Sequence, residues 1–161
     1  MDEIEIYECR LEDVDNFVGE LKELWLCLAH EMYEIEHFIK PSETNSDRWI
    51  KFVQKGLASE RSLLLVAKNK NRLVGFVFAN ASRDFPLDVS KFVGAVNDVY
   101  VLPQFRCKGI GKKLMVKCLN RMKALGMNVA SLTVLMENKT AIKLYEKLGF
   151  KIHGYTMVKT L

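Results

Sequence analysis

The chain has 161 residues, 49% of them apolar and 27% charged, which suits one folded domain with a sizeable core and excludes a disordered or fibrous chain. A formal net charge of +4 admits an anionic ligand but lacks the dense basic footprint of a nucleic-acid binder. No apolar run approaches the roughly 18 residues that span a bilayer, the opening MDEIEIYECR has neither a basic head nor an apolar signal core, and the cysteines at 9, 27, 107 and 118 form no CxxC pair. A cytoplasmic chain with free thiols and no membrane contact is expected.

In chain order, EIEIYECRL alternates as a first strand. From Glu12 onward Val14, Phe17, Val18, Leu21, Leu24, Trp25, Leu28 and Met32 recur at helical spacing, with Gly19 inside the run. IKPSETNSDRW breaks that pattern, and Ser46 or Asp47 is expected to cap a second helix running to about Ser59. SLLLVAKNKNRLVGFVFANAS sets two apolar runs around the polar turn 69–71, a strand hairpin. RDFPLDVSKF reads as a long connection and VGAVNDVYV as another strand. Residues 109–125 place Ile110, Leu114, Cys118, Met122 and Leu125 on one helical face, with Gly126 closing the helix. NVASLTVLM then reads as a strand, NKTAIKLYEKL as a helix opened by Asn138, and FKIHGYTMVKTL as a closing strand or tight pair. The order predicts one undivided α/β domain over residues 1–161, a mixed central sheet covered by helices on both faces.

The segment VYVLPQFRCKGIGKKL collects Arg106, Lys108, Lys112 and Lys113 at a helix N-terminus, where the dipole is already positive. Two readings stand open: lysines pointing to water around a glycine-capped start, or a site for an anion. A Walker-type loop fails, because Arg106 holds the place of its first glycine and Lys113 that of its Ser or Thr. A dinucleotide fingerprint fails at its third glycine, where Leu114 stands. The general chemistry survives. Glycine lets the backbone approach an oxyanion closely, and the first helical turn offers unpaired N–H donors.

DVYVLPQFRCKGIGKKLM, followed from residue 137 by ENKTAIKLYEKLGF, resembles the GNAT superfamily of acetyl-CoA-dependent N-acetyltransferases. Its signature is Gln or Arg, two residues, Gly, any residue, then Gly or Ala; Arg106-Cys107-Lys108-Gly109-Ile110-Gly111 satisfies it. The match is close over residues 93–150. The resemblance implies a sheet splayed at the fourth and fifth strands, with pantetheine in the gap held by the backbone of Val99, Tyr100 and Val101. Amides from Arg106 through Cys107, Lys108, Gly109, Ile110 and Gly111 to Lys112 would wrap the pyrophosphate, with Lys108, Lys112 and Lys113 as neighbours of the phosphates. Asn138 would reach the cofactor besides serving as an N-cap. Tyr145 would lie near the sulfur and donate a proton to the departing thiolate. Ala141, Leu144, Tyr145 and Leu148 also make an apolar stripe, so a plain core role for Tyr145 stays open.

The implied reaction is direct attack of an amine on the thioester, which requires that the amine first lose a proton. Asp98, an acid in mid-strand, is the candidate base, because burying it is costly without a purpose or a partner; Asn97 cannot substitute. Glu31, Glu34 and Glu36 are alternatives, or solvated surface. His30 and His37 lack a third clear ligand, so no metal is assigned there or at His153. The acceptor would be chosen by EHFIKPSETNSDRW and RDFPLDVSKFVG. A small-molecule amine is preferred over a peptide N-terminus, since the residues after Phe150 are too few for a hairpin of two full strands. A non-catalytic acyl-CoA-binding module is the reading from another class. A homodimer, common in that family, is fixed by no feature of the sequence.

Overall fold

A computed structural model of the chain describes residues 3–38, 40–82 and 92–161; the connection read over 83–92 falls outside the described residues except for Phe92. The elements run β1 (Ile4–Cys9), α1 (Leu11–Glu36), α2 (Glu43–Ala58), β2 (Ser62–Asn69), β3 (Arg72–Ser82), β4 (Val93–Val101), a 3-10 turn (Pro103–Phe105), α3 (Ile110–Ala124), β5 (Val129–Leu132) and α4 (Lys139–Lys147). The five strands lie in the order β1-β2-β3-β4-β5, antiparallel except for the parallel pair β4 and β5.

The unbroken apolar run of β2 is explained by burial on both faces. Leu64 and Val66 join Leu21, Trp25, Trp49, Phe76, Phe78 and Tyr100 in the core under α1 and α2. Leu63, Leu65 and Ala67 point the other way, with Val77, Val96, Leu114, Met115, Cys118 and Met122, into the core under α3. Successive side chains of a strand alternate, so one sequence run serves two cores, and a mixed sheet with helices on both faces results.

The helix starts show local chemistry at work. α2 begins a turn earlier than the sequence reading, because the Ser42 hydroxyl accepts from the Asn45 amide at 3.2 Å and acts as the N-cap. Ser46 is instead fully buried, its hydroxyl donating to the Glu43 carbonyl at 2.8 Å. α1 runs through Gly19 without interruption.

One irregularity of the sheet positions the site. Phe78 pairs with Asp98 but Ala79 pairs with Val96, so Asn97 is an extra, bulged residue in β4. Before the bulge, Val93–Val96 pairs with Val129–Leu132 of β5; beyond it, β4 has no strand partner on that side among the described residues. A bulge bends and twists its strand, and here it ends the parallel ladder. The sheet is splayed between its fourth and fifth strands.

The expected closing strand does not form within the described chain. Residues 151–161 are exposed and carry no regular structure. β5 is also shorter than the run 128–136 suggested, ending at Leu132.

Candidate active site

The unpaired stretch of β4 offers backbone groups to a ligand, and their direction is fixed by two hydrogen bonds. The Leu102 amide donates to Val74 of β3 at 2.9 Å, whereas the Val101 carbonyl accepts from Arg106 Nε at 2.8 Å on the open side. Backbone groups alternate along a strand, so those of Val99 and Val101 face the gap and those of Tyr100 belong to the ladder with β3.

The loop leaving this edge alternates between left-handed and ordinary backbone. Cys107 (φ 61°) and Gly109 (φ 78°) are left-handed, and between and after them the chain returns to negative φ. Such alternation curls successive N–H groups toward one point. The Lys113 amide donates to Gly109 as the first bond of α3. The amides from Gly109 to Lys112, ahead of that bond, have no acceptor within the helix. A left-handed helix cap explains Gly109. At Gly111 a Cβ would make only ordinary van der Waals contacts, 3.6 Å from Leu144 of α4 and 3.9 Å from Val101, in the space between α4 and the strand edge. A strand edge with free amides running into a concave, positively charged loop fits a pantetheine–pyrophosphate chain, the one through amide hydrogen bonds and the other through anion-binding N–H groups.

The basic side chains divide. Lys108, Lys112 and Lys113 are exposed around the loop, with the Lys108 ammonium 5.4 Å from the centre of the Phe105 ring. Arg106 turns back toward the protein. One of its terminal nitrogens donates to both oxygens of Glu31 on α1, at 2.7 and 3.0 Å, and its guanidinium lies 5.2 Å from the Tyr100 ring centre. Tyr100 donates to the same Glu31 at 2.9 Å, and burial together with that carboxylate raises its phenol pKa. Glu31, an alternative base in the sequence reading, is therefore occupied by two donors.

Asp98 sits beside the bulge on the α2 side of β4. Its Oδ2 accepts from the Trp49 indole at 2.9 Å. Burial raises its pKa above the usual aspartate range, and the indole bond partly opposes that rise. Trp49 is fixed in an aromatic cluster, stacked on Trp25 with centroids 6.1 Å apart and edge-on to Phe76 at 5.2 Å. The sequence reading assigned no role to Trp49; a mid-strand acid that needs a donor was the available signal.

α4 contributes Tyr145 and Asn138. The Asn138 Oδ1 caps the helix by accepting from the Ala141 amide at 3.1 Å, which leaves its NH₂ group outside that bond. At the other end, Phe150 N donates to Tyr145 O and Gly149 N to Glu146 O, both at 3.0 Å, with Gly149 left-handed at φ 91°. This is a Schellman motif, and its usual apolar contact is the Tyr145–Phe150 pair, rings edge-on with centroids 5.9 Å apart. Burial raises the Tyr145 pKa, so the phenol keeps its proton at neutral pH. Tyr145 packs on the α3 side of the sheet with Val99 and Val101, whereas Asp98 points to the α2 side; no direct contact joins the two. His30 and His37 are exposed, and no group of three or more His, Cys, Asp or Glu among the described residues is placed to hold a metal. No helix among the described residues is long and apolar enough to cross a membrane.

A splayed sheet whose free edge feeds an amide-lined loop defines an acyl-CoA-type transferase architecture. The chain belongs to the acetyltransferase (GNAT) family, whose model matches residues 24–150. It is 30% identical over 142 residues to an uncharacterized N-acetyltransferase of Archaeoglobus fulgidus, covering 88% of this chain and 89% of that one. Over 95 residues it is 32% identical to a mycothiol acetyltransferase of Segniliparus rotundus, covering 57% of this chain and 34% of that protein. Its fold matches an aminoglycoside N-acetyltransferase, AAC(6')-Iy, solved in complex with CoA, with a TM-score of 0.73, 19% identity, and 99% and 95% of the two chains covered. The chain is thus an acyltransferase, and acetyl-CoA is the co-substrate that goes with the family.

Proposed function

We propose that residues 1–161 act as one N-acetyltransferase domain that moves the acetyl group of acetyl-CoA to a primary amine of a small molecule by direct attack. The observation that carries this reading is the continuity of the unpaired β4 edge with the loop 106–109 and the first-turn amides of residues 109–112. Because the loop follows Val101, the pyrophosphate belongs at the loop and the pantetheine runs back along Val101 and Val99, which brings the thioester end toward the bulge and Asp98. Acetyl-CoA supplies the activated acyl group; the protein supplies placement and proton handling. Asp98, held by Trp49 and shifted upward by burial, is suited to take a proton from the incoming amine, directly or through water. Tyr145, protonated and beside the strand edge, is suited to donate to the departing thiolate. The NH₂ of Asn138 is free to reach the cofactor while the carbonyl caps α4.

A small-molecule acceptor is supported by the names of the aminoglycoside and mycothiol acetyltransferases to which the chain is similar. Thiol release from acetyl-CoA, followed across a panel of polyamines, aminoglycosides, amino acids and N-terminal peptides, tests the proposal. Turnover with a small amine is expected. Turnover restricted to peptides would move the acceptor to protein N-termini, and binding of acetyl-CoA without turnover on any amine would leave a non-catalytic module.

A further inference from the structure

One buried polar atom of β3 has no partner among the described residues. Phe76 and Phe78 point into the core under α1 and α2, while Val77, Ala79 and Ala81 point to the α3 side. Strand alternation therefore puts Asn80 on the α2 side, the side on which Asp98 meets Trp49. The Asn80 Oδ1 is buried and accepts no hydrogen bond from any described residue. Ser62 of β2 and Ala95 of β4, directly opposite it on the neighbouring strands, do not supply one.

A carbonyl oxygen taken from water without a donor is costly, and native folds pair nearly all such groups. Other polar side chains between this face and its helices follow the rule. The Ser46 hydroxyl donates to Glu43, the Asp98 carboxylate accepts from Trp49, and the Tyr100 phenol donates to Glu31. Beside Asn80 the surroundings are apolar. Phe78, its neighbour on the same face, is fully buried, with Trp49 and Phe52 of α2 edge-on to it at 6.3 and 5.6 Å between centroids. Leucine has much the same size as asparagine and would leave no oxygen unmet there, so packing alone does not account for the amide.

The register sets this oxygen beside the proposed chemistry. Phe78 pairs with Asp98 and Asn80 with Ala95, so Asn80 and Asp98 flank the Asn97 bulge. They are diagonal neighbours on one face, a relation that separates the two backbones by about 7–8 Å. Two side chains reaching inward at that spacing can meet one nitrogen between them. The carboxylate of Asp98 can take a proton, whereas the carbonyl of Asn80 accepts a hydrogen bond and keeps no proton. Such a pair suits a group with more than one N–H.

We propose that Asn80 binds the acceptor, its Oδ1 taking one N–H of the primary amine while Asp98 meets another. This deepens the reading of Asp98 as the group that deprotonates the amine, and it rests on that reading. The N–H held by Asn80 stays on the nitrogen; the proton passed to Asp98 is a different one. The carbonyl fixes how the nitrogen is turned, and the need for two N–H groups favours amines over alcohols, which carry a single O–H.

The test compares Asn80→Leu with wild type in three measurements. Chemical denaturation without ligand is expected to give a midpoint equal to or above that of wild type, since no buried oxygen is left unmet. Calorimetric titration with acetyl-CoA is expected to give the same Kd. Thiol release with putrescine, kanamycin, free lysine or a short peptide as acceptor is expected to show an amine KM at least ~10-fold higher. A smaller rise in KM would overturn the proposal. So would a lower denaturation midpoint, because the oxygen would then serve the fold, and so would a weaker acetyl-CoA Kd, because Asn80 would then serve the cofactor. Wild type that binds acetyl-CoA but acetylates none of these amines would overturn the amine reading itself, and this inference with it. Wild-type turnover with an unchanged KM in Asn80→Leu would overturn the inference alone.

Discussion

At the residue scale, the chemistry proposed here rests on three side chains or their absence, and each makes a separable prediction. Tyr145→Phe keeps the ring that packs on Phe150 and removes only the hydroxyl. It is expected to lower kcat by about 10²-fold, with acetyl-CoA affinity and stability nearly unchanged; equal kcat would return Tyr145 to a packing role. Asp98→Asn retains an oxygen for the Trp49 indole, so the aromatic cluster should stay in place. Burial raises the Asp98 pKa, so the folded state binds its proton more tightly than the unfolded state does. Its stability contribution is complete below the ordinary aspartate pKa and is lost as pH rises through the raised value. Asp98→Asn is therefore expected to be at least as stable as wild type at pH 7, by chemical denaturation, while losing about 10²- to 10⁴-fold in turnover. Wild-type kcat/KM should rise with pH through the Asp98 titration, and the variant should lack that limb. Gly111→Val places a branched side chain between Val101 and Leu144. A folded variant should bind acetyl-CoA at least ~10-fold more weakly; undiminished affinity would remove that space from the binding path.

At the element scale, the helices carry their own stop and start signals, and these were largely legible. Asn138 was readable as an N-cap and Gly126 as a terminator, because capping depends on a few neighbouring residues. Asn138→Ala should cost ~1 kcal/mol of stability by denaturant titration, from loss of the bond to Ala141; an additional loss of acetyl-CoA affinity is expected if its NH₂ group meets the cofactor. The bulge at Asn97 was not legible, although VNDVYV was read as one strand. A bulge exists only relative to the partner strand, and its register is set by β3, more than a dozen residues earlier in the chain. The same holds for the Glu31–Arg106 pair, 75 positions apart, and for the Trp49–Asp98 bond, 49 apart. Motif reading found Arg106 and Asp98 but not the partners that orient them. The helix start at Ser42 was misplaced for a local reason: a serine followed by several polar residues offers more than one cap, and tertiary burial of Ser46 decides among them.

For the whole molecule, the two-core sheet follows from alternation in strands such as β2, and the sequence carries that pattern openly. Residues 151–161 read as a closing strand or tight pair but carry no regular structure, because a strand forms only against a partner edge, which the run itself does not encode. A ligand spanning the β4 edge and the loop 107–112 would tie β4, α3 and α4 together, so binding should stabilise the fold as a unit. At a free acetyl-CoA concentration of 100 times Kd, linkage adds about 2.7 kcal/mol, which in a domain of this size corresponds to a rise in Tm of roughly 5–10 °C. The most direct test of the central claim is a calorimetric titration of the folded chain with acetyl-CoA, with ATP and NAD as controls. Saturable binding of acetyl-CoA, well above that of either control, is the expected result. Absence of binding, or equal binding of all three, would mean that the amides of residues 107–112 and the free edge of β4 do not form an acetyl-CoA site.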